Sequence, residues 1–165
     1  MKKYAVTIFA TLMTVCMLFT MVFAEETVEA PKLGTIENPI TIENNEDFAK
    51  MMQVKSLFGQ GEATVVTFIN AHKGDVICFD GYVGNLAKHG SYNTRFDVLL
   101  CIGDAYDASS DLSFQFYDVN FGNMNVNGTD TVRAGMNFTI VAEIVNYNEN
   151  SGLIRLKPVE MTYRK

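Results

Sequence analysis

Catalytic signatures, histidine and cysteine are all scarce in this chain. No Gly-x-Ser-x-Gly elbow, no His-Glu-x-x-His pair, no phosphate-cradling glycine-rich loop and no Cys-x-x-Cys pair occurs in it. Elbow-type serine hydrolases, helix-borne zinc peptidases, P-loop nucleotide binders and thiol redox enzymes therefore lack their signatures here. The only histidines are His72 and His89. His72 falls on the apolar stripe of a predicted helix, so an imidazole-based triad or metal site would have to rest on His89. Positive charge is short as well: 13 Lys and Arg against 19 Asp and Glu leave a formal charge of −6. An acidic chain repels nucleic-acid backbones, which argues against a polynucleotide ligand. No cofactor and no metal centre is expected.

What is present begins with an export signal. Lys2 and Lys3 precede a charge-free run from Tyr4 to Phe23, and Val22-Phe23-Ala24 offers a small residue at the cleavage position before Glu25 and Glu26. The pattern predicts a signal peptide over residues 1–24 and a protein that is secreted or held in the cell envelope. If the segment is retained, about 20 apolar residues suffice to span a bilayer. An uncleaved signal is the one membrane contact expected. The Met-Lys-Lys start fits a bacterial exporter. Cleavage would remove two lysines and take the formal charge to about −8. Residues 25–39, with Glu25, Glu26, Glu29, Pro31 and Pro39, read as a flexible spacer, and residues 40–165 as one domain.

Ile40-Thr41-Ile42 can add a short strand. Asn44-Asn45-Glu46-Asp47 then reads as a helix start, because Asn caps well and acids suit the first turn. Phe48, Met51 and Met52 form its buried stripe, and Gly59-Gln60-Gly61 is expected to end the segment. Val65, Phe68, Ile69 and His72 recur at helical spacing, with Gly74 as a terminal cap. The β-branched run Thr64–Ile69 also admits a strand. The spacing favours a helix.

Five strands follow. Asp75–Leu86 and Asn93–Ile102 read as a hairpin around the turn Ala87–Tyr92. With the turn centred between His89 and Gly90, Leu86 opposes Asn93, while Ile77, Phe79 and Val83 oppose Ile102, Leu100 and Phe96 on an apolar face. Cys78, Asp80 and Tyr82 then oppose Cys101, Leu99 and Asp97. Cys16 leaves with the signal. Cys78 and Cys101, so placed, are a possible disulfide in an oxidising compartment, or else two unpaired thiols on a partly covered face. Gly81 and Gly84 mark a bulge or bend. Leu112–Val119 is the third strand, and residues 120–135 are a polar loop with room for one helical turn. Asn137–Tyr147 and Leu153–Tyr163 make a second hairpin around Asn148–Gly152. Centred on Asn150, it sets Ile144 against Leu156 inside and Glu143 against Lys157 outside, and Pro158 marks an edge or a bulge. The class expected is α+β: a five-stranded Greek-key OB-like β-barrel preceded by two short helices.

Several segments are shared with a known family: Ile42–Phe48, Phe79-Asp80-Gly81, His89–Asp97, Phe114-Gln115-Phe116 with Asp118-Val119-Asn120, and Tyr147–Asn150. Together they resemble an uncharacterised secreted bacterial family, mostly from Firmicutes, known only as a domain of unknown function. The resemblance covers about residues 40–163. It implies an OB-like barrel similar to the tRNA-anticodon-binding-like group, and no activity that attaches to any residue here.

The residues richest in binding chemistry are His89, Tyr92, Arg95 and Asp97 at the first hairpin turn, with Tyr117 on the third strand. In OB barrels that loop and the adjoining strand faces line the groove. Histidine can bind a proton or an anion, tyrosine can stack, and arginine can grip a carboxylate or phosphate with two bonds. The ligand-binding set is therefore His89, Tyr92, Arg95 and Tyr117. The competing account is a structural turn in which Arg95 pairs with Asp97 or Asp80. Asn123, Asn125, Asn127, Gly128 and Asp130 imitate a calcium loop, but Ala134 stands where a bidentate Glu is required. Asp104, Asp107 and Asp111 read as solvated loop acids.

The function expected is a binding or interaction module whose partner is a peptide, a glycan or another envelope protein. Two other accounts stand beside it. One is a small extracellular hydrolase or metal-assisted enzyme using His89, Asp80 and Asp97, which requires those three side chains to converge. The other is a structural accessory domain. No residue is assigned a catalytic role.

Overall fold

The computed structural model describes residues 31–105 and 112–165. The expected signal peptide and the first residues of the expected spacer lie outside the described residues, as do Asp107 and Asp111. Before Ile40 the chain is already tied down. The Gly34 N–H donates to Asn38 O at 2.9 Å, Gly34 O accepts from the Val76 N–H, and Leu33 packs on the core. Residues 31–39 are thus held in hydrogen-bonded turns.

Two helices follow. The first, α1, is Glu46–Met52, and the Asn45 side chain accepts the Phe48 N–H at 2.8 Å, as an Asn N-cap should. The second, α2, is Gln60–Ala71, with Val65, Phe68 and Ile69 buried. Its start differs from expectation. Gly59 is the N-cap of α2, at φ +61°, so Gly59-Gln60-Gly61 opens the second helix instead of closing the first. The Thr64–Ile69 run is helical, and the Phe48 and Phe68 rings meet at 5.4 Å between centroids.

Six strands complete the α+β chain: β1 Val76–Lys88, β2 Phe96–Ile102, β3 Ser113–Val119, β4 Val126–Asn127, β5 Asn137–Asn148 and β6 Leu153–Arg164. They form one mixed sheet in the order β3-β2-β1-β5-β6-β4. A further parallel pairing of β3 with β6 closes β1, β2, β3, β6 and β5 into a ring. Between β3 and β4 a 3₁₀ turn, Phe121–Met124, is capped by Asn120, whose side chain receives the Asn123 N–H at 3.0 Å. The ring encloses Leu100, Phe114, Phe116, Phe138 and Ile140, each fully buried. Each such side chain contributes about 1.5–3 kcal/mol on burial.

Over Ala142–Ile144 the β5–β6 register is the one expected from the pattern, and it shifts by one between Ile144 and Asn146 toward the turn. Ile144 pairs with Leu156 and Glu143 with Lys157, whose Nζ lies 3.3 Å from Glu143 Oε2. The register shifts next to Pro158, between Val141 and Ala142.

The β1–β2 register is not the expected one. Tyr82 pairs with Cys101 rather than Asp97, Val83 with Leu100, and Leu86 with Val98 rather than Asn93. The slip at Tyr82 is four residues, an even number, so every side chain there keeps its expected face. Two features produce it. The turn is long, His89 to Arg95, closed by the His89 N–H donating to Arg95 O at 2.8 Å. A bulge at Gly84 then shifts the pairing between Val83 and Asn85.

Of the two alternatives for the cysteines, the disulfide falls with that register and the unpaired thiols remain. Cys78 pairs with Val141 on β5, and both cysteines are free. Cys101 faces Tyr82, four residues farther along β1. That is about 13 Å of strand, against a disulfide reach of about 7 Å between Cα atoms.

Candidate functional site

The first hairpin turn folds over the end of β2 and β3. Phe96 pairs with Val119 and Val98 with Phe116, with an irregularity between them that places Asp97 beside Tyr117 and Asp118. Asp118 adopts a left-handed backbone at φ +59°, a conformation that Asp tolerates better than most residues. Its N–H donates to Asp97 Oδ1 at 2.9 Å.

Asp97 also anchors the turn. The His89 Nδ1 sits 3.1 Å from both Asp97 carboxylate oxygens. The other ring nitrogen, Nε2, points toward Asp118 Oδ1 at 3.8 Å, a buried oxygen with no hydrogen-bond partner among the described residues. The imidazole therefore lies between the two carboxylates. Arg95 donates to the second oxygen of Asp118. That bond is the main reason the Arg95 guanidinium is held above its usual range.

The aromatic rings continue the cluster outward. The His89 ring stacks with Tyr92 at 6.4 Å and meets Tyr117 edge-on at 4.8 Å. Arg95 lies over the Tyr92 ring at 4.5 Å, and Arg155 of β6 lies over the Tyr117 ring at 4.3 Å. The sequence is thus Arg95, Tyr92, His89, Tyr117, Arg155, a ladder of three rings between two guanidiniums. Tyr92 and Tyr117 are 51% and 45% exposed, so two phenol rings face solvent from a held position.

All four residues expected to bind ligand, His89, Tyr92, Arg95 and Tyr117, meet in this one cluster. Arg95 finds its carboxylate in Asp118 rather than in Asp97 or Asp80. Asp80 is elsewhere: it accepts from Thr139 Oγ1 at 2.7 Å and pairs with Arg164 at 3.3 Å. The His89, Asp80 and Asp97 arrangement required for acid–base work is therefore not formed. Asp104 pairs with Arg164 as well, at 2.6 Å. No three His, Cys, Asp or Glu side chains among the described residues converge to hold a metal ion.

Residues 43–164 match the family described as a domain of unknown function, DUF4839. The chain belongs to that family. No curated protein and no solved structure matches it. The DUF4839 span takes in both helices, all six strands and the whole ladder from Arg95 to Arg155. Sequence reasoning missed two members of that ladder's surroundings. Asp118 carries no local signal for its left-handed backbone, and Arg155 reaches Tyr117 only through the parallel β3–β6 pairing, where Gln115 meets Arg155.

Proposed function

We propose that this DUF4839 chain is an exported binding module of the cell envelope or exterior, built as an OB-like Greek-key barrel, and that it binds a neutral oligosaccharide. The ring of pairings β1-β2-β3-β6-β5 supports the OB-like reading. OB barrels bind oligonucleotides or oligosaccharides across the face of their second and third strands and the loop between the first two. The tyrosine ladder lies there. The formal charge of −6 disfavours a polyanionic strand. Within the cluster the two carboxylates, Asp97 and Asp118, balance the two guanidiniums, Arg95 and Arg155. The result is a neutral polar surface with two rings on which sugar faces can stack. The single observation that carries the reading is the exposure of Tyr92 and Tyr117, both held against the His89 ring, Tyr92 stacked on it and Tyr117 edge-on to it.

Export rests on the pattern of residues 1–24. Amino-terminal sequencing of protein recovered from the producing culture tests it. A start at Glu25 supports export with cleavage.

One observation favours the structural accessory reading: the Arg95 guanidinium is already engaged by Asp118. Arg95→Ala separates the two readings. A binding module loses oligosaccharide affinity while its unfolding midpoint holds. A structural turn loses its midpoint instead.

A further inference from the structure

A concave surface lies at the other end of β1. It is a groove of about 600 Å³ between α1 and the start of the β1–β2 pairing. Cys78, Phe79 and Asp80 form its floor, Met52 of α1 one wall and Ile102 the other, with Ile42 at the rim. Ile42 is 52% exposed although it is large and apolar. The groove exists because none of the described residues pairs with the β2-side edge of β1 there. Ile40 bonds to β1 through Val76 and Cys78, and the β2 side resumes only where the Gly103 N–H meets Asp80 O at 3.0 Å. The chain from Thr41 turns away between these points, since the Thr41 N–H is taken by Asn44 Oδ1 at 2.8 Å.

The charges around the groove are of one sign in excess. Glu43 lines it and has no ion-pair partner among the described residues. Asp80 shares Arg164 with Asp104, two carboxylates on one guanidinium. Glu160 lies on the same sheet face, since Cys78 pairs with Val141 and Val141 with Glu160. Burial pushes the Cys78 thiol up, and Asp80, Glu43 and Glu160 push it further, so the floor senses these acids.

We propose that this groove binds a small organic cation with an apolar body. The volume falls in the range of small-molecule sites, about 300–1,000 Å³, and such sites combine apolar walls with a few placed polar groups. Ile42, Met52 and Ile102 would cover the apolar body. Glu43 would face the ammonium group at the rim. The site is separate from the tyrosine ladder and does not depend on the oligosaccharide reading.

The test uses the two cysteines as internal reporters, because Cys78 is in the groove floor and Cys101 is not. Purified protein is alkylated with iodoacetamide, and each cysteine is followed by mass spectrometry with 4-phenylbutylammonium or its neutral counterpart, 4-phenylbutanol, present. Saturating ammonium probe is expected to slow Cys78 labelling several-fold and leave Cys101 unchanged. The alcohol should need about fivefold higher concentration, the value of one partly screened charge pair. Glu43→Gln should abolish that difference without moving the unfolding midpoint, because Glu43 is exposed. Amide shifts of Cys78 and Ile102 read the same binding by NMR if Cys78 labels too slowly to follow. Equal protection by amine and alcohol, an unchanged preference in Glu43→Gln, or no saturable effect at Cys78 and Ile102 would each overturn the proposal.

Discussion

His89 and Asp97 hold the first hairpin turn shut: the imidazole Nδ1 lies 3.1 Å from each oxygen of the Asp97 carboxylate. The same carboxylate accepts the Asp118 N–H at 2.9 Å, so one half-buried side chain joins the turn to β3. Asp97→Ala leaves the Asp118 N–H and the imidazole without this partner. The expected loss is about 1–3 kcal/mol, the cost of leaving such groups unsatisfied. Urea unfolding measures it, and Asp97→Asn should recover part of the loss because an amide oxygen can still accept.

Phe114 sits at the centre of the ring of strands, fully buried, with its ring 4.6 Å from that of Phe79. Phe114→Ala is expected to cost about 3–5 kcal/mol through lost burial and a residual cavity. Lys157→Ala, by contrast, removes an exposed partner of Glu143 and should cost at most about 1 kcal/mol. Denaturant midpoints of the two variants should therefore be far apart.

Gly81 is required by close approach rather than by backbone angle. A Cβ there would come within 2.6 Å of the Cys101 carbonyl oxygen and 3.1 Å of Ile140. Gly81→Ala must part β1 from β2, at a cost of about 1–3 kcal/mol. Gly122→Ala, whose nearest neighbour is an Asn120 side-chain oxygen at 3.3 Å, is the control and should cost less.

The Tyr147 phenol is pushed above its usual value, first by burial and then by the Glu62 carboxylate, whose Oε1 accepts its proton at 3.3 Å. The folded protein therefore keeps this proton to higher pH than the unfolded chain does. Below the unfolded value of about 10 the contribution is fully present, and it is lost as pH rises through the raised folded value. Unfolding midpoints measured from pH 9 to 11 should fall more steeply for the wild-type protein than for Tyr147→Phe.

Much of the fold is legible from local rules. Asn45 caps where an Asn ahead of two acids should. The alternation of Phe138, Ile140, Ala142 and Ile144 against Leu156 names both the inner face and the register of β5 and β6, because a short turn at Asn150 leaves little choice. The first hairpin resists the same reasoning. Its seven-residue turn is held by His89, Asp97 and Asp118, and these contacts span 8 to 21 residues of sequence. Alternation is blind to an even slip, so the faces before the Gly84 bulge emerge correctly while the cysteine pairing does not; beyond the bulge the slip is odd and Leu86 turns to the core. The binding set lies on one turn and one strand, which local reading can join. Asp118 and Arg155 needed the left-handed backbone and the parallel β3–β6 pairing. The groove over Cys78 needed three separate segments, and no single stretch announces it.

The most direct measurement of the central claim is an NMR titration of ¹⁵N-labelled protein with linear neutral oligosaccharides of glucose and of N-acetylglucosamine. Saturable amide shifts gathered on residues 89–97, 115–119 and 155 are expected, and Tyr92→Ala and Tyr117→Ala should each weaken binding by roughly tenfold, about 1.4 kcal/mol. An absence of saturable shifts, or shifts that persist unchanged when both tyrosines are replaced, would contradict the account.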